Sequence, residues 1–361
     1  MGFSVPSIKY PPARPDEGYW NPITSTINWC EEDYYATIYS AEIVNTLTNL
    51  IFIWLGVKGI RNCLKYGHDS IFVVSFCGYL LVGSGSFAFH STLKYPMQLL
   101  DELSMIYTAT IMCYATFSFS QSRAVRILLG VGLAGLAVFI TLYYHYLQDP
   151  DFHQNAFALI LIVIMARSTY VMEVNIRPTL KEKYGMKSRK AAAASGPRTA
   201  SERLANDRRD MEILKNMWLM VTLGLAIFLG GFGIWNLDNA FCSTILRWRH
   251  QIGLPWGILL EGHGWWHLMT GVGAYYYVVW AIWLRHCLNE RQDEFVLNWP
   301  SIFSIPEVIP CVEAAKKDSR RTTDHPDGHA DGYLNGSTNG TVNGSSGYTD
   351  IHGIREDRKS V

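Results

Sequence analysis

Seven long apolar runs, separated by polar segments, constrain the fold of this chain more than any other feature of its sequence. A helix needs about 20 apolar residues to cross a hydrocarbon core of ~30 Å. Each run is about that long and shows few charges on any helical face, unlike the helices of a soluble bundle. We therefore predict an all-α membrane protein, a bundle of seven transmembrane helices. The predicted spans are Ala41–Ile60, Ile71–His90, Met97–Phe117, Val125–Tyr144, Phe157–Val174, Met217–Trp235 and His263–Trp283.

Polar residues are concentrated in three segments, which define the predicted domain organisation. Residues 1–40 form an N-terminal loop, residues 41–290 the seven-helix membrane domain, and residues 291–361 a largely disordered tail. Residues 174–215 are predicted to be a long basic loop between spans 5 and 6, in which Lys187–Asp210 is disordered or loosely helical. No cleavable signal peptide is visible, so the first span is expected to act as the targeting signal.

The distribution of Lys and Arg predicts the orientation of the spans. The side that holds the N-terminus carries five such residues in its loops, and the other side carries fifteen, eleven of them in the loop between spans 5 and 6. Because basic loops stay in the cytosol, we expect a lumenal or extracellular N-terminus and a cytosolic C-terminus. We expect no nucleic-acid partner, and no protein partner can be identified.

The tail contains three N-glycosylation acceptor motifs, at Asn335, Asn339 and Asn343. Two interpretations stay open. Either the tail is lumenal and glycosylated, or it is a cytosolic segment whose composition produces such motifs. The charge distribution favours the cytosolic tail.

Ionisable residues inside membrane spans are costly and by default indicate function. His90 ends span 2, Asp101 opens span 3, and His263 and His267 open span 7. The loop between spans 2 and 3 is short and contains Pro96, so these spans should be antiparallel. All four ionisable residues are then expected at one depth, near the lumenal leaflet.

The types and spacing of these residues are typical of a zinc site. Two histidines four residues apart lie on one face of a helix, and His90 would add a third ligand from another helix. Zinc with three protein ligands keeps a position open for water, whose pKa it lowers toward ~7. Asp101 could take the proton of that water, and Ser86, one turn from His90, could hydrogen-bond to the water or an oxyanion. The alternatives are histidines that only hydrogen-bond to their neighbours, and a b-type haem. His263 and His267 are too close on one helix to sandwich a haem.

The chain resembles the alkaline ceramidases, which belong to a wider group that includes the adiponectin-type receptors. The resemblance covers about residues 18–290 and rests on Ser86-x-x-x-His90, Asp101, His263-x-x-x-His267, and Asn28-Trp-Cys-Glu-Glu-Asp33 followed by Ala41-Glu42. It implies a membrane-embedded zinc amidase that cleaves ceramide to a sphingoid base and a fatty acid. The zinc ligands would be His90, His263 and His267, with Asp101 and Ser86 as catalytic residues beside the metal.

The resemblance also implies a calcium site before span 1. Its ligands would be Asn28, Trp29 through its carbonyl, Glu31, Asp33 and Glu42. Calcium takes six to eight hard oxygen ligands, so the residue types are suitable. The family usually has Asp and Asn where this chain has Asn28 and Asp33, a swap that keeps the number of carboxylates. The alternative is a solvated acidic loop.

The cysteines lead to one expected disulfide. Cys30 and Cys242 both lie on the predicted lumenal side, where oxidation is possible, and we expect them to pair. Four others, Cys63, Cys77, Cys113 and Cys287, lie in or near spans and should act as small apolar residues. Cys311 should be free.

The expected activity is hydrolysis of the N-acyl amide of phyto- or dihydroceramide by metal-activated water, in the endoplasmic reticulum or Golgi membrane with the active site lumenal. Two alternatives stay open. One is a lipid receptor or transporter with a structural zinc, and the other is a different lipid amidase or esterase. The preferred sphingoid base and acyl length do not follow from the sequence.

Overall fold

The computed structural model describes residues 6–185 and 199–324 and consists mainly of long helices. The elements are α1 (Ile43–Thr48), α2 (Leu50–Tyr66), α3 (Ser70–Thr92), α4 (Tyr95–Phe117), α5 (Arg123–Leu147), α6 (Pro150–Ile176), α7 (Pro178–Tyr184), α8 (Ala200–Ala240), α9 (Cys242–Ile252), α10 (Gly262–Leu288), β1 (Phe295–Asn298), β2 (Glu307–Pro310) and α11 (Cys311–Asp324). The two strands pair in antiparallel fashion.

Within the described residues, five helical segments are long and apolar enough to cross a membrane. They are the α1–α2 segment Ile43–Tyr66, α3, α5, α6 and α8. Helices α4 and α10 have 23 and 27 residues, but they are not among the five. The prediction of a helical membrane protein is confirmed, and the number of seven spans stays a prediction.

Local sequence explains why α3 and α4 lie side by side in opposite directions. Leu93 adopts a left-handed conformation after α3 and is fully buried. Lys94 follows in extended conformation, and Pro96 lies in the first turn of α4, where its missing N–H costs nothing. This two-residue connection places the last turn of α3, with His90, beside the first turns of α4, with Asp101.

Two helix pairs, α3–α4 and α8–α10, have the most extensive contacts, and glycines allow them to approach closely. A Cβ atom at Gly85 of α3 would lie 3.1 Å from the carbonyl oxygen of Leu100 in α4. One at Gly273 of α10 would lie 3.0 Å from the carbonyl oxygen of Gly224 in α8. The backbones of both helix pairs are therefore in direct contact. These contacts fix the relative positions of the helices that carry the candidate site.

The predicted basic loop at 174–215 is shorter in the structure than expected. Helix α8 begins at Ala200, because Thr199 and Glu202 form a capping box around its first turn. Lys181 of α7 forms a 2.6 Å ion pair with Asp210 of α8. The segment 199–215 is therefore helical. Residues 186–198 lie outside the described part of the chain.

The first part of the predicted disordered tail is also folded. Phe295, Val308 and Ile309 bury their side chains in the β1–β2 hairpin against the ends of α2 and α10. His68, after α2, and His286, in α10, are linked by a 2.8 Å hydrogen bond beneath this hairpin. The apolar residues of 295–310 thus pack this part of the predicted tail against the bundle. Residues 325–361, with the three glycosylation motifs, lie outside the described residues.

Candidate metal centre

Three histidines from two helices meet at one end of the bundle. His90 lies in the last turn of α3, and His263 and His267 lie in the first two turns of α10. All three are buried, and one ring nitrogen from each lies within 4.8 Å of the others. Atoms so spaced all lie within about 2.8 Å of a common point, so inward shifts of less than ~1 Å would bring them to the Zn–N distance of about 2.0–2.1 Å. The trio therefore has a geometry that could hold one metal ion.

Unpartnered nitrogens indicate that this site is built for a ligand. His90 donates from Nδ1 to Glu42 Oε2 at 2.5 Å, which leaves its Nε2 as the acceptor. His90 Nε2 and His263 Nδ1 are buried and have no hydrogen-bond partner among the described residues. A buried polar atom without a partner costs about 1–3 kcal/mol, and a metal ion would remove that cost. A carboxylate behind a ligating histidine is the usual way to fix its orientation.

Span 1 holds the third histidine in place. His267 donates to the backbone carbonyl of Asn45, and its Nδ1 lies 3.0 Å from Thr48 Oγ1 and 3.3 Å from Asn49 Nδ2. Its Nε2 lies 3.5 Å from Ser86 Oγ. These polar residues of span 1 were missed in the sequence analysis, although polar side chains in an apolar run were the available indication.

Ser86 lies beside His267, and Asp101 is connected to this site through Ser86. Ser86 Oγ accepts a 3.0 Å hydrogen bond from Asn49 Nδ2 and donates to the Asp101 carboxylate. Ser86 is buried, whereas Asp101 is partly exposed. The structure thus brings together a carboxylate, a hydroxyl and three imidazoles, which are the groups that metal-assisted hydrolysis requires.

The N-terminal segment covers the histidines. The Trp29 ring lies 4.6 Å from His263 and 5.5 Å from Trp235 of α8, measured between ring centroids. The next residue, Cys30, forms a disulfide with Cys242 at the start of α9, with 5.5 Å between the Cα atoms. The expected disulfide is therefore present in the structure, and it ties this cover to the segment that leads into α10.

A buried arginine also links the N-terminal cover to the segment that leads into α10. Arg249 donates to the Cys30 carbonyl at 2.8 Å and forms ion pairs with Asp238 at 3.1 Å and Glu261 at 2.8 Å. Asp238 also accepts hydrogen bonds from the first backbone amides of α10. Arg249 is one of the five basic residues counted above for orientation, and its structural role could not be predicted, because its partners come from separate segments of the chain.

Three acidic residues of the expected calcium site are buried close to one another. Glu31 accepts hydrogen bonds from the amides of Val44 and Asn45 at 2.7 and 2.8 Å, and thereby caps α1. Asp33 accepts one from the Asn28 side chain at 3.0 Å, and its Oδ1 has no partner among the described residues. Glu42, predicted as the fifth ligand, lies between this cluster and His90.

The electrostatics of this cluster fit a bound cation. Burial and the nearby Glu42 carboxylate raise the pKa of Glu31 to about 8. Burial raises the pKa of Asp33 to about 6. A divalent cation would offset the repulsion between these carboxylates and would find the hard oxygen donors that calcium prefers.

Comparison with known proteins assigns the chain to a family. The family model described as Ceramidase matches residues 21–309. The chain is 30% identical to alkaline ceramidase 3 of Mus musculus, over 82% of this chain and 98% of the mouse protein. It is 38% identical to alkaline ceramidase YPC1 of Saccharomyces cerevisiae, over 81% of this chain and 86% of the yeast protein. The chain therefore belongs to the ceramidase family and is an enzyme of the alkaline ceramidase group.

Proposed function

We propose that this enzyme hydrolyses the N-acyl amide of ceramide to a sphingoid base and a fatty acid, with zinc held by His90, His263 and His267. The observation that carries the proposal is the trio itself. Its ring nitrogens lie within 4.8 Å of one another, and two buried ring nitrogens lack a protein partner among the described residues. We take phyto- or dihydroceramide as the substrate class.

The residues around the trio have distinct roles in this proposal. A bound zinc ion would polarise the amide carbonyl and lower the pKa of a water molecule. Asp101 takes the proton of the attacking water and delivers it to the leaving amine. Ser86 orients the Asp101 carboxylate and can instead donate to the oxyanion. Glu42 is hydrogen-bonded to His90 Nδ1. This bond orients the His90 ring so that Nε2, on its other side, points away from Glu42.

We infer that α4 and α10 cross the membrane together with the five apolar helices. Helix α4 packs against α3, α5 and α6, and α10 packs against α2, α3, α6 and α8, so both are surrounded by candidate spans. The histidines then lie near the lumenal leaflet of an endoplasmic reticulum or Golgi membrane, with a cytosolic C-terminus. Ceramide would enter sideways from that leaflet, with its chains among the helices.

We propose calcium as the cation of the acidic cluster, with ligands from Asn28, the Trp29 carbonyl, Glu31, Asp33 and Glu42. The support is the burial of three carboxylates in one small region and the unpartnered Oδ1 of Asp33. Since Trp29 packs on His263 and Glu42 bonds to His90, calcium at this position would hold the cover over the zinc ligands.

The direct test is to incubate the purified protein with ceramide, before and after removal of zinc by a chelator. We expect equal amounts of sphingoid base and fatty acid, loss of both after chelation, and recovery when zinc is added. Binding of ceramide without either product would indicate a receptor or transporter. Turnover of other lipid amides or esters in place of ceramide would indicate a different lipid hydrolase.

A further inference from the structure

The end of the bundle opposite the histidines contains a cleft between α3, α4, α6 and α10. Arg167 of α6 and Arg285 of α10 both line it, together with the hydroxyl-bearing residues Thr116 and Ser168 and apolar side chains. The cleft encloses about 40 Å³, which is more than a single water molecule requires. Two cations therefore border one partly enclosed space in a mainly apolar part of the protein.

The two arginines differ in how their charges are balanced. Arg285 forms a 2.7 Å ion pair with Asp69 and donates to the Ala115 carbonyl at 2.7 Å. Arg167 lies over the rings of Phe117 and Tyr170, with its guanidinium carbon 5.6 Å from each ring centroid.

Arg167 has no anionic partner in the described part of the chain, where the structure gives it neither an ion pair nor a hydrogen bond. Its Nε is buried and unpartnered. An arginine within a candidate membrane span is costly without a partner, so an anion from outside the protein would be stabilised here.

The cleft lies near one end of the bundle, at the depth expected for lipid headgroups. Thr116 is the penultimate residue of α4, and Arg285 lies three residues before the end of α10. The first turn of α5, with Arg123 and Arg126, begins at the same end. This is the basic end of the bundle, and anionic lipids are concentrated in the cytosolic leaflet.

We propose that this cleft binds the phosphate headgroup of an anionic phospholipid in the leaflet opposite the histidines. The planar guanidinium of Arg167 can contact two phosphate oxygens at once, and Arg285, already paired with Asp69, lines the same space. Thr116 and Ser168 also line this space, and their hydroxyls lie 3.4 Å from each other. The apolar walls suit the glycerol and upper acyl-chain region of a lipid, which a free phosphate ion does not possess.

The consequence is a lipid that joins three helices at their far ends. Helix α4 carries Asp101 and α10 carries His263 and His267 at the opposite end, so a ligand shared by α4, α6 and α10 would stabilise the packing that places these residues. This inference does not depend on the reaction, because binding and stabilisation can be measured without substrate.

The test uses the full-length protein, delipidated and reconstituted with phosphatidylcholine alone or with added phosphatidic acid of the same acyl chains. Inorganic phosphate at matched concentration is a third condition. We expect phosphatidic acid to raise the thermal midpoint and to remain bound in native mass spectrometry, with phosphate alone having no effect. In Arg167→Gln, affinity for phosphatidic acid should fall at least about tenfold, as expected for a lost charge-assisted, two-point contact.

Arg123→Gln is the matched control, because it removes the same charge from an exposed position at the same end and should leave lipid affinity unchanged. Arg167→Lys keeps the charge without the two-point contact and should give an intermediate loss, which provides a second variant if Arg167→Gln folds poorly. Equal losses in Arg123→Gln and Arg167→Gln would overturn the site. Equal stabilisation by inorganic phosphate would overturn the assignment to a lipid.

Discussion

The two ends of the helical bundle stabilise their buried polar groups in different ways. At the histidine end, carboxylates, amides and hydroxyls surround three imidazoles, and a disulfide and the buried Arg249 hold a cover over them. At the opposite end, His68 and His286 are hydrogen-bonded to each other under a small hairpin, with His286 Nδ1 left without a partner among the described residues, and Arg167 borders a partly open cleft. In our proposals, the first end is organised around a metal ion, and the second around protein packing and a bound lipid.

This difference indicates where substitutions should affect chemistry and where they should affect only stability. Removing a polar group at the histidine end should change turnover or metal affinity. Removing one at the opposite end should change the thermal midpoint or lipid affinity and leave the metal content unchanged.

Asp101→Asn should reduce kcat by about 100-fold or more, because general acid–base catalysis typically contributes that much, while the zinc content stays unchanged. The measurements are steady-state ceramide hydrolysis and metal analysis of the same preparation. Glu102→Gln is a suitable control, since this neighbouring carboxylate is hydrogen-bonded to Tyr144 and Gln98. This substitution should lower kcat by less than about tenfold. Full activity in Asp101→Asn would exclude Asp101 as the proton carrier.

Glu42→Gln should weaken zinc binding by about 10–100-fold, the usual cost of losing the carboxylate behind a ligating histidine. Competition with a chromophoric chelator measures this affinity. Glu307→Gln makes the same change at the opposite end, where Glu307 pairs with Lys58 and Lys317, and should leave zinc affinity at the wild-type value. Equal zinc affinities in all three proteins would show that the bond from Glu42 to His90 does not support the metal.

Cys30→Ser should lower the free energy of unfolding by about 2–4 kcal/mol, the typical contribution of a disulfide, since the bond joins residues 212 positions apart. The thermal midpoint with and without a reductant measures this change. Cys77→Ser, at an exposed free cysteine, should have no effect. The disulfide would be unimportant for the cover if reductant left the wild-type midpoint unchanged.

Lys58→Met should lower stability by no more than about 1 kcal/mol, because Lys58 and Glu307 form a partly exposed ion pair. Zinc content and turnover should match those of the wild-type protein. A loss of zinc in this variant would contradict the separation between the two ends.

Much of the candidate site followed from the sequence because charged groups are rare inside membrane spans. His90, Asp101, His263 and His267 each interrupt or border an apolar run, and the count of spans placed them on one side. The short connection between spans 2 and 3 then predicted their proximity. The structure brings these residues together with Ser86, although their catalytic roles remain predictions.

Other features could not be predicted, because they depend on contacts between distant segments. The hydrogen bond from His90 to Glu42 joins residues 48 positions apart, and Glu42 was expected only as a calcium ligand. The segment 295–310 is itself rich in apolar residues, among them the buried Ile309, but it was grouped with the polar tail that follows it, so its hairpin was missed. The helical start of α8 depends on the capping box of Thr199, which was not recognised within a charged stretch.

The most direct test of the proposed three-histidine metal centre is the zinc content of the purified protein and of its His267→Ala variant, measured by inductively coupled plasma mass spectrometry. We expect about one zinc ion per wild-type chain, as for a single three-histidine site. In a His267→Ala variant that still folds, zinc and ceramide hydrolysis should be lost together. A folded His267→Ala protein that retains its zinc and its activity would contradict the proposal that these histidines hold the catalytic metal.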